Sequence, residues 1–233
     1  MLDIHTHILP MMDDGSRSLR QSKSMLQKEA KQGVDRVVLT PHYYADKESP
    51  NEFMDRRAVS IELLESGIVD IMTLPQWYLG AEVAFFQGIS RIENIESLCI
   101  GDSNAMLIEM PFSRWSTNIL NELFNLVENR GIQPIIAHVE RYMTYQPLGT
   151  IRELCKAGIW MQANASFFIN WRTSMIALWM LKKHRIQFIG SDCHDMRRRQ
   201  PNLESAREVI EKRLGKGAIE YLDRMEIRLL EGG

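Results

Sequence analysis

Five of the six histidines in this sequence stand where an imidazole can act together with a carboxylate. His5 and His7 lie in Asp3-Ile4-His5-Thr6-His7. Strand side chains alternate between faces, so these two imidazoles are expected to point the same way. Asp192 and His194 share a face by the same alternation in Asp192-Cys193-His194. His42 follows Thr40-Pro41, and His138 follows Ile136-Ala137. The remaining acids of the set are Asp14, in Asp13-Asp14-Gly15, then Glu82 and Glu109. These donors are nitrogen and oxygen with no thiolate, a mix that suits manganese, iron or zinc rather than a structural cysteine zinc site. His5, His7, Asp14, His42, Glu82, Glu109, His138, Asp192 and His194 are too many for one ion. Two or three ions sharing bridging carboxylates is the economical solution.

Such donors work only if the chain brings them together. Short apolar or β-branched runs predict strands at 2–7, 36–41, 79–85, 105–110, 133–139, 159–163 and 187–192. Helical patterns fill the gaps at 16–31, 50–65, 116–129, 148–156, 173–183, 202–214 and about 218–230. Gly33, Gly67, Gly131, Gly158 and Gly215 are read as helix stops, because glycine accepts the left-handed backbone just past a helix. Repeated β-then-α order implies a parallel sheet, since parallel strands need crossover connections. Seven such units without a break favour a closed or nearly closed barrel. Almost every predicted strand carries a histidine or acid at its C-terminal end. In a parallel barrel those ends converge on one mouth.

The chain has 233 residues, 45% of them hydrophobic, enough for one domain spanning 1–233. Its net charge of −2 provides no overall basic field for nucleic acid or an anionic membrane. Basic residues that matter must therefore be local. Cys99, Cys155 and Cys193 are odd in number and widely spaced, which suits a reducing compartment. The start MLDIHTHILP lacks the features of a signal peptide, and no apolar run approaches a membrane span. A cytoplasmic protein that is not membrane-embedded is expected.

Taken together, DIHTHILP, Asp13-Asp14-Gly15, Thr40-Pro41-His42, Gly80-Ala81-Glu82, Leu107-Ile108-Glu109, Ala137-His138-Val139-Glu140-Arg141-Tyr142 and Ser191-Asp192-Cys193-His194 resemble the polymerase and histidinol phosphatase (PHP) superfamily. Within it, the chain is similar to bacterial manganese-dependent tyrosine-protein phosphatases of capsular and exopolysaccharide loci, the CpsB/CapC kind. The resemblance implies an α/β fold, a distorted seven-stranded (β/α) barrel of the PHP type. It implies up to three divalent ions, manganese foremost, with iron, zinc or cobalt as substitutes. One ion would use His5, His7, Glu82 and Asp192, and a second Asp14, His42 and His194. A third would use Glu109 and His138, with Glu82 bridging to the first. Arg141 and Arg199 match the family's phosphate-binding arginines, although Arg197 and Arg198 stand beside Arg199. The implied reaction is phosphotyrosine hydrolysis with a metal-bound hydroxide as nucleophile. A metal-bound water or His42 would serve as acid toward the leaving group. The implied partner is a phosphotyrosine protein, a bacterial tyrosine kinase that controls polysaccharide export, and no nucleic acid.

Tyr43, Tyr44, Phe85, Phe86, Phe112, Trp115, Phe167, Phe168 and Trp171 follow predicted strand ends, where they either line a slot for the phosphotyrosine ring or bury loops. Asn164 either faces the site or makes a local turn bond. His184 is read as a solvated cap. Two rivals share the metal centre: a PHP-type esterase for a small molecule such as histidinol phosphate, and a metal-bound scaffold without turnover. A third rests on Cys193 and Arg199, which have the C-x5-R spacing of cysteine-dependent tyrosine phosphatases. The residues between them contain no glycine to cradle phosphate, and Cys193 alternates away from Asp192 and His194. Chelation is therefore expected to abolish hydrolysis of an aryl phosphate, with recovery on adding back a divalent ion, while thiol alkylation leaves it intact. Loss on alkylation alone would reverse the assignment.

Overall fold

The computed structural model describes residues 1–68 and 73–231. The chain runs β1 (Leu2–Thr6), α1 (Leu19–Lys31), β2 (Arg36–Leu39), β3 (His42–Tyr43), α2 (Pro50–Ser66), β4 (Gln76–Leu79), β5 (Glu82–Ala84) and β6 (Ala105–Glu109). It continues through α3 (Thr117–Arg130), β7 (Gln133–Ile136), α4 (Leu148–Lys156), β8 (Trp160–Asn164), α5 (Ala165–Ile169), α6 (Ser174–Lys182), β9 (Phe188–Gly190), α7 (Leu203–Leu214) and α8 (Lys216–Leu230). All strand pairings are parallel, in the orders β1-β2-β4 and β3-β5-β6-β7-β8-β9. The result is an α/β fold with a curled parallel sheet and helices packed on it.

The described residues contain nine strands, where the sequence predicts seven. One predicted strand is cut short and followed by an extra one, and another is divided. The 36–41 run is strand only to Leu39, and after Thr40-Pro41 a separate β3 begins at His42, beyond the run; proline has no N–H to give a neighbouring strand. The 79–85 run starts earlier, at Gln76, and splits at Gly80-Ala81 into β4 and β5. There the buried Arg57 takes the Gly80 carbonyl at 2.6 Å. The halves stay in step across the break, with Glu82 N donating to the Pro41 carbonyl at 3.0 Å. Beyond β9 the chain returns to β1: Asp192 N donates to the His5 carbonyl and His7 N to the Cys193 carbonyl, both at 2.9 Å.

Laterally paired residues of a parallel ladder face the same side. Glu82, Leu107, Ile135 and Trp160 pair in sequence, and Gln162 pairs with Phe188. One face thus carries the apolar cluster of Leu2, Ile4, Val38, Leu107, Ile135 and Phe188, and also the polar Glu82 and Gln162. A larger apolar cluster lies on the helix-covered side. The alternation expected for β1 is broken by an irregularity: Asp3 and Thr6 pair with Val37 and Leu39, three steps against two. An extra residue of this kind re-aims side chains. Leu2 and Ile4 enter the apolar cluster, yet His5 reaches Gln162, at 3.2 Å.

Helix boundaries follow local caps. Ser18, rather than Ser16, caps α1 by accepting from Gln21 N. Ser49 and Glu52 form a reciprocal capping box on α2. Gly33, Gly131, Gly158 and Gly215 have positive φ, as helix stops need, whereas Gly67 at −93° does not. The Leu19 side chain occupies the space a Cβ at Gly67 would take. The short α5 was not anticipated, because five residues are too few to show a period. No helix among the described residues is long and apolar enough to cross a membrane.

Gly190 lies against β1, where an added Cβ would sit 2.6 Å from His5 Cβ and 3.2 Å from His5 N. Gly149, in α4, has open space around it. Gly190→Ala is expected to cost about 1–3 kcal/mol through overpacking. Gly149→Ala is expected to add about 0.5–1 kcal/mol through reduced backbone entropy. Urea unfolding midpoints compare the two, and a Gly190→Ala midpoint equal to wild type would refute the close approach of β9 to β1.

Candidate metal centre

Glu82 opens β5 and is buried. Its Oε2 lies 3.1 Å from His5 Nε2, 3.2 Å from His7 Nε2 and 3.1 Å from His42 Nδ1. Its Oε1 is 2.9 Å from His138 Nε2, which is also 3.3 Å from Glu109. His5 Nε2 and His7 Nε2 stand 3.1 Å apart. Asp192 Oδ1 lies 3.5 Å from His5, 3.6 Å from His7 and 3.6 Å from His194 Nδ1. Asp14, exposed on its loop, reaches His42 at 3.5 Å and His194 at 3.4 Å. All nine residues singled out in the sequence thus meet in one place, supplied from loops and strand ends far apart in the chain.

Three subsets are close enough to share an ion: His7, Asp14, His42 and His194; His5, His7 and Asp192; and His42, Glu82 and Glu109. These groupings differ in detail from those the resemblance implies. His7 also joins the Asp14 group, and His42 joins Glu82 and Glu109, with His138 still 3.3 Å from Glu109. His42 Nδ1, Glu82 Oε2, His138 Nδ1 and His194 Nε2 are buried without a hydrogen-bond partner. Proximity without hydrogen-bond geometry leaves a penalty of about 1–3 kcal/mol for each such atom. Lone-pair donors converging in this way fit divalent cations with nitrogen and oxygen ligands.

The electrostatics follow from burial set against neighbours. Burial opposes protonation of His7, but its bonds to Asp13 and Glu82 outweigh that and raise its pKa to about 10. Burial likewise opposes His138, and Glu109 and Glu82 raise it to about 9. His194 goes the other way, to about 4, through burial and then the nearby His7 and Arg199. Burial also lowers His42. Burial disfavours charge on Glu82 and Asp192, yet the His5 imidazole and its neighbours hold both below the usual carboxylate range. Protons on imidazoles and divalent cations are alternative counter-charges for these acids, so metal uptake competes with protonation.

A surrounding layer orients the donors. Asp13 Oδ2 accepts from His7 Nδ1 at 2.7 Å and from the His42 backbone N at 2.9 Å. Gln162 Oε1 lies 3.2 Å from His5 Nδ1 and accepts from His138 N at 2.6 Å. Asn164 does face the site, donating to Asp192 Oδ2 at 2.8 Å. Sequence reasoning passed over Asp13 and Gln162. Asp13 adjoins a chosen acid and was detectable as a histidine orienter, whereas nothing local marks Gln162. His138 and Asp192 take left-handed backbone conformations, φ 30° and 54°, which re-aim their side chains. Such conformations in non-glycine residues cost about 1–3 kcal/mol each and cluster at functional sites.

Arg141 Nη2 and Arg199 Nη2 grip the two oxygens of Asp192, at 2.7 and 2.5 Å. Arg197 and Arg198 are exposed, so Arg199 is the member of that run whose guanidinium joins the cluster. Among the aromatic residues, Tyr43, Trp115, Phe167 and Phe168 are buried in the core. Phe112 is 46% exposed and stacks on His138 with ring centroids 6.1 Å apart. Tyr44 lies 5.4 Å from the His42 ring. Cys193 is buried, and burial, then Glu29 and Asp3, push its thiol well above its ordinary range, which removes it as a nucleophile.

Comparison with known proteins supports the same direction. Residues 1–227 match the family model described as capsular polysaccharide synthesis, CpsB/CapC. The chain is 29% identical to the tyrosine-protein phosphatase CpsB of Streptococcus pneumoniae over 226 residues, 92% of this chain and 91% of that one. It is 31% identical over 204 residues to a putative tyrosine-protein phosphatase CapC of Staphylococcus aureus, covering 85% and 79%. Its fold matches, with a TM-score of 0.83 and 24% identity, a solved structure from work on YwqE of Bacillus subtilis and CpsB of S. pneumoniae, described as metal-dependent tyrosine phosphatases. That match covers 99% of this chain and 94% of the other.

If the cluster holds divalent ions, metal present at about a thousandfold its Kd adds about 4 kcal/mol and raises Tm by roughly 8–16 °C. Differential scanning fluorimetry of chelator-treated protein with manganese, iron, zinc or cobalt reads this directly. A flat Tm for all four ions would rule out the metal centre.

Proposed function

The chain belongs to the CpsB/CapC family of capsular polysaccharide synthesis, and on that premise we propose that its nine clustered donors hold the divalent ions of a protein-tyrosine phosphatase. The enzyme is a metal-dependent hydrolase of phosphotyrosine, as its relatives' names describe. What carries the reading is the convergence of five histidines, four acids and two arginines within a few ångströms. We take manganese as the native metal, with iron, zinc or cobalt able to substitute, and up to three ions. The substrate we propose is a phosphotyrosine protein, a bacterial tyrosine kinase that controls capsule or exopolysaccharide synthesis. We place it in the cytoplasm. We read residues 1–233 as one catalytic domain. The curled sheet counts as a distorted seven-position barrel if β2 with β3, and β4 with β5, are each taken as one position.

Bound divalent ions supply Lewis acidity to the phosphate and lower the pKa of coordinated water toward ~7. The protein's own groups do the rest. Asp13 and Gln162 fix the ring orientation of His7 and His5, as outer partners of metal-binding histidines do. Arg141 and Arg199 are held at the site by Asp192 and offer forked donors that match phosphate oxygens and stay charged. Binding exchanges part of their hold on Asp192 for contacts to the equatorial oxygens, where negative charge gathers during transfer. His42 has Nδ1 against Glu82 and Nε2 toward Asp14, and burial lowers its pKa. Those features suit a ligand better than an acid. A phenolate leaving group, with pKa ~10, needs less protonation than an alkoxide. Phe112, exposed and parallel to His138, is placed to flank the substrate ring.

Removing one charge-assisted contact costs about 1.5–3 kcal/mol. Arg141→Ala and Arg199→Ala should therefore each lower kcat/KM for a phosphotyrosine peptide by roughly 10- to 100-fold while leaving a folded protein. In the same assay Phe112→Ala should raise KM for the peptide. Comparable kcat/KM for histidinol phosphate and the peptide would favour the small-molecule reading, and full activity in both arginine variants would remove them from phosphate binding.

A further inference from the structure

The chain's net charge is slightly negative, yet no aspartate or glutamate occurs between Asn164 and Asp192. The same stretch holds Arg172, Lys182, Lys183 and Arg185. Its central helix, α6, packs inward through Ala177, Met180 and Leu181. Its outward side is not polar. Trp171, Met175 and Trp179 recur every four residues and are 79%, 82% and 40% exposed. Met175 and Trp179, four apart, share the α6 face opposite the core, and Trp171 is exposed in the turn just before the helix. Three large apolar side chains exposed within nine residues mark a candidate interaction surface.

The flanking chemistry selects the occupant. Arg172 lies over the Trp171 ring at 5.0 Å and Arg185 over the Trp179 ring at 4.4 Å, so cations sit at both ends of this set. Beside the C-terminal end of α6, a hollow of about 280 Å³ is lined by Lys182, Arg213 and His184 with no acidic residue. Tryptophan and methionine bordered by lysine and arginine, on a short helix lying flat on the fold, is the pattern of a helix that rests in a membrane interface. Anionic headgroups are attracted to such clusters, while the basic stems reach around the apolar face. We propose that α6 and its flanking turns form a docking surface for an anionic lipid bilayer, with Trp171 and Met175 entering the headgroup layer and Lys182, Lys183 and Arg185 engaging lipid phosphates. Because Trp171 follows α5, which itself follows the C-terminal end of β8, docking would set the catalytic mouth beside the bilayer.

The test is sedimentation of the metal-loaded full chain with vesicles of phosphatidylcholine alone, or of equal parts phosphatidylglycerol and phosphatidylcholine. Binding is expected only to the anionic vesicles and should weaken as salt rises. Trp171→Ser with Met175→Ser, and separately Lys182→Glu with Lys183→Glu, should each weaken it roughly tenfold or more at unchanged Tm. Wild-type protein that stays in the supernatant with anionic vesicles at low salt overturns the proposal. So does binding that both double variants retain, or equal binding to neutral vesicles. Light scattering that shows a dimer lost in the Trp171/Met175 variant, with no vesicle binding, would assign the face to a second copy instead.

Discussion

A carboxylate taken out of water must be given another counter-charge, and Glu82 is where this protein meets that demand most severely. Its side chain is 1% exposed, and its two oxygens face nitrogen atoms of His5, His7, His42 and His138 at 2.9–3.2 Å. Asp192, equally deep, sits beside two of the same rings. Groups so arranged repel or strand one another unless cations are shared among them, because an unpaired buried charge costs several kcal/mol. The remaining architecture can be understood as what holds these acids and imidazoles at that separation. It explains why a curled parallel sheet is used: strand ends from distant parts of the chain meet at one edge without long loops.

The supporting layer carries its own cost. The irregularity in β1 and the left-handed backbone at His138 and Asp192 set side chains where regular strands would not place them. Gln162 compensates by serving two elements at once, touching the His5 ring and accepting from the His138 backbone. Behind the site, Asp3 accepts from the backbone N of His5 and Ser191, tying β1 to the segment that presents Asp192. Burial raises the Asp3 pKa, and burial together with the Asp3 charge raises Glu29 well above its ordinary value. The upward shift favours a proton shared between the two acids as a hydrogen bond over two charges that repel. This buried pair lies between α1 and β1, so the donor cluster is backed by a second polar layer.

The arginines illustrate how one carboxylate serves two purposes. Asp192 lies among imidazoles on one side and draws Arg141 and Arg199 on the other. Both guanidinium groups remain partly exposed, so their hold on Asp192 is open to solvent. A buried arginine would have been committed to its partner. An arginine fully in water would have lost orientation. The intermediate placement fixes positive charge beside the donor cluster without satisfying it completely.

Residue type and spacing alone marked out the nine donors, because imidazole and carboxylate at strand ends are chemically unusual and periodic. They also identified the parallel α/β class through the alternation of short apolar runs with helical patterns. Most helix stops were legible for the same reason, since a left-handed turn selects glycine locally. The early end of β2, the split of the 79–85 run, the irregular register of β1 and the reorientation of His138 were not legible. Each depends on what lies across the sheet rather than along it. Gln162 and Asp13 acquire their roles only when folding sets them beside particular rings. That Arg199, and not Arg197 or Arg198, reaches Asp192 was likewise visible only in three dimensions. Sequence specifies which groups can bind or react; tertiary packing sets the distances, and electrostatic interaction depends on distance.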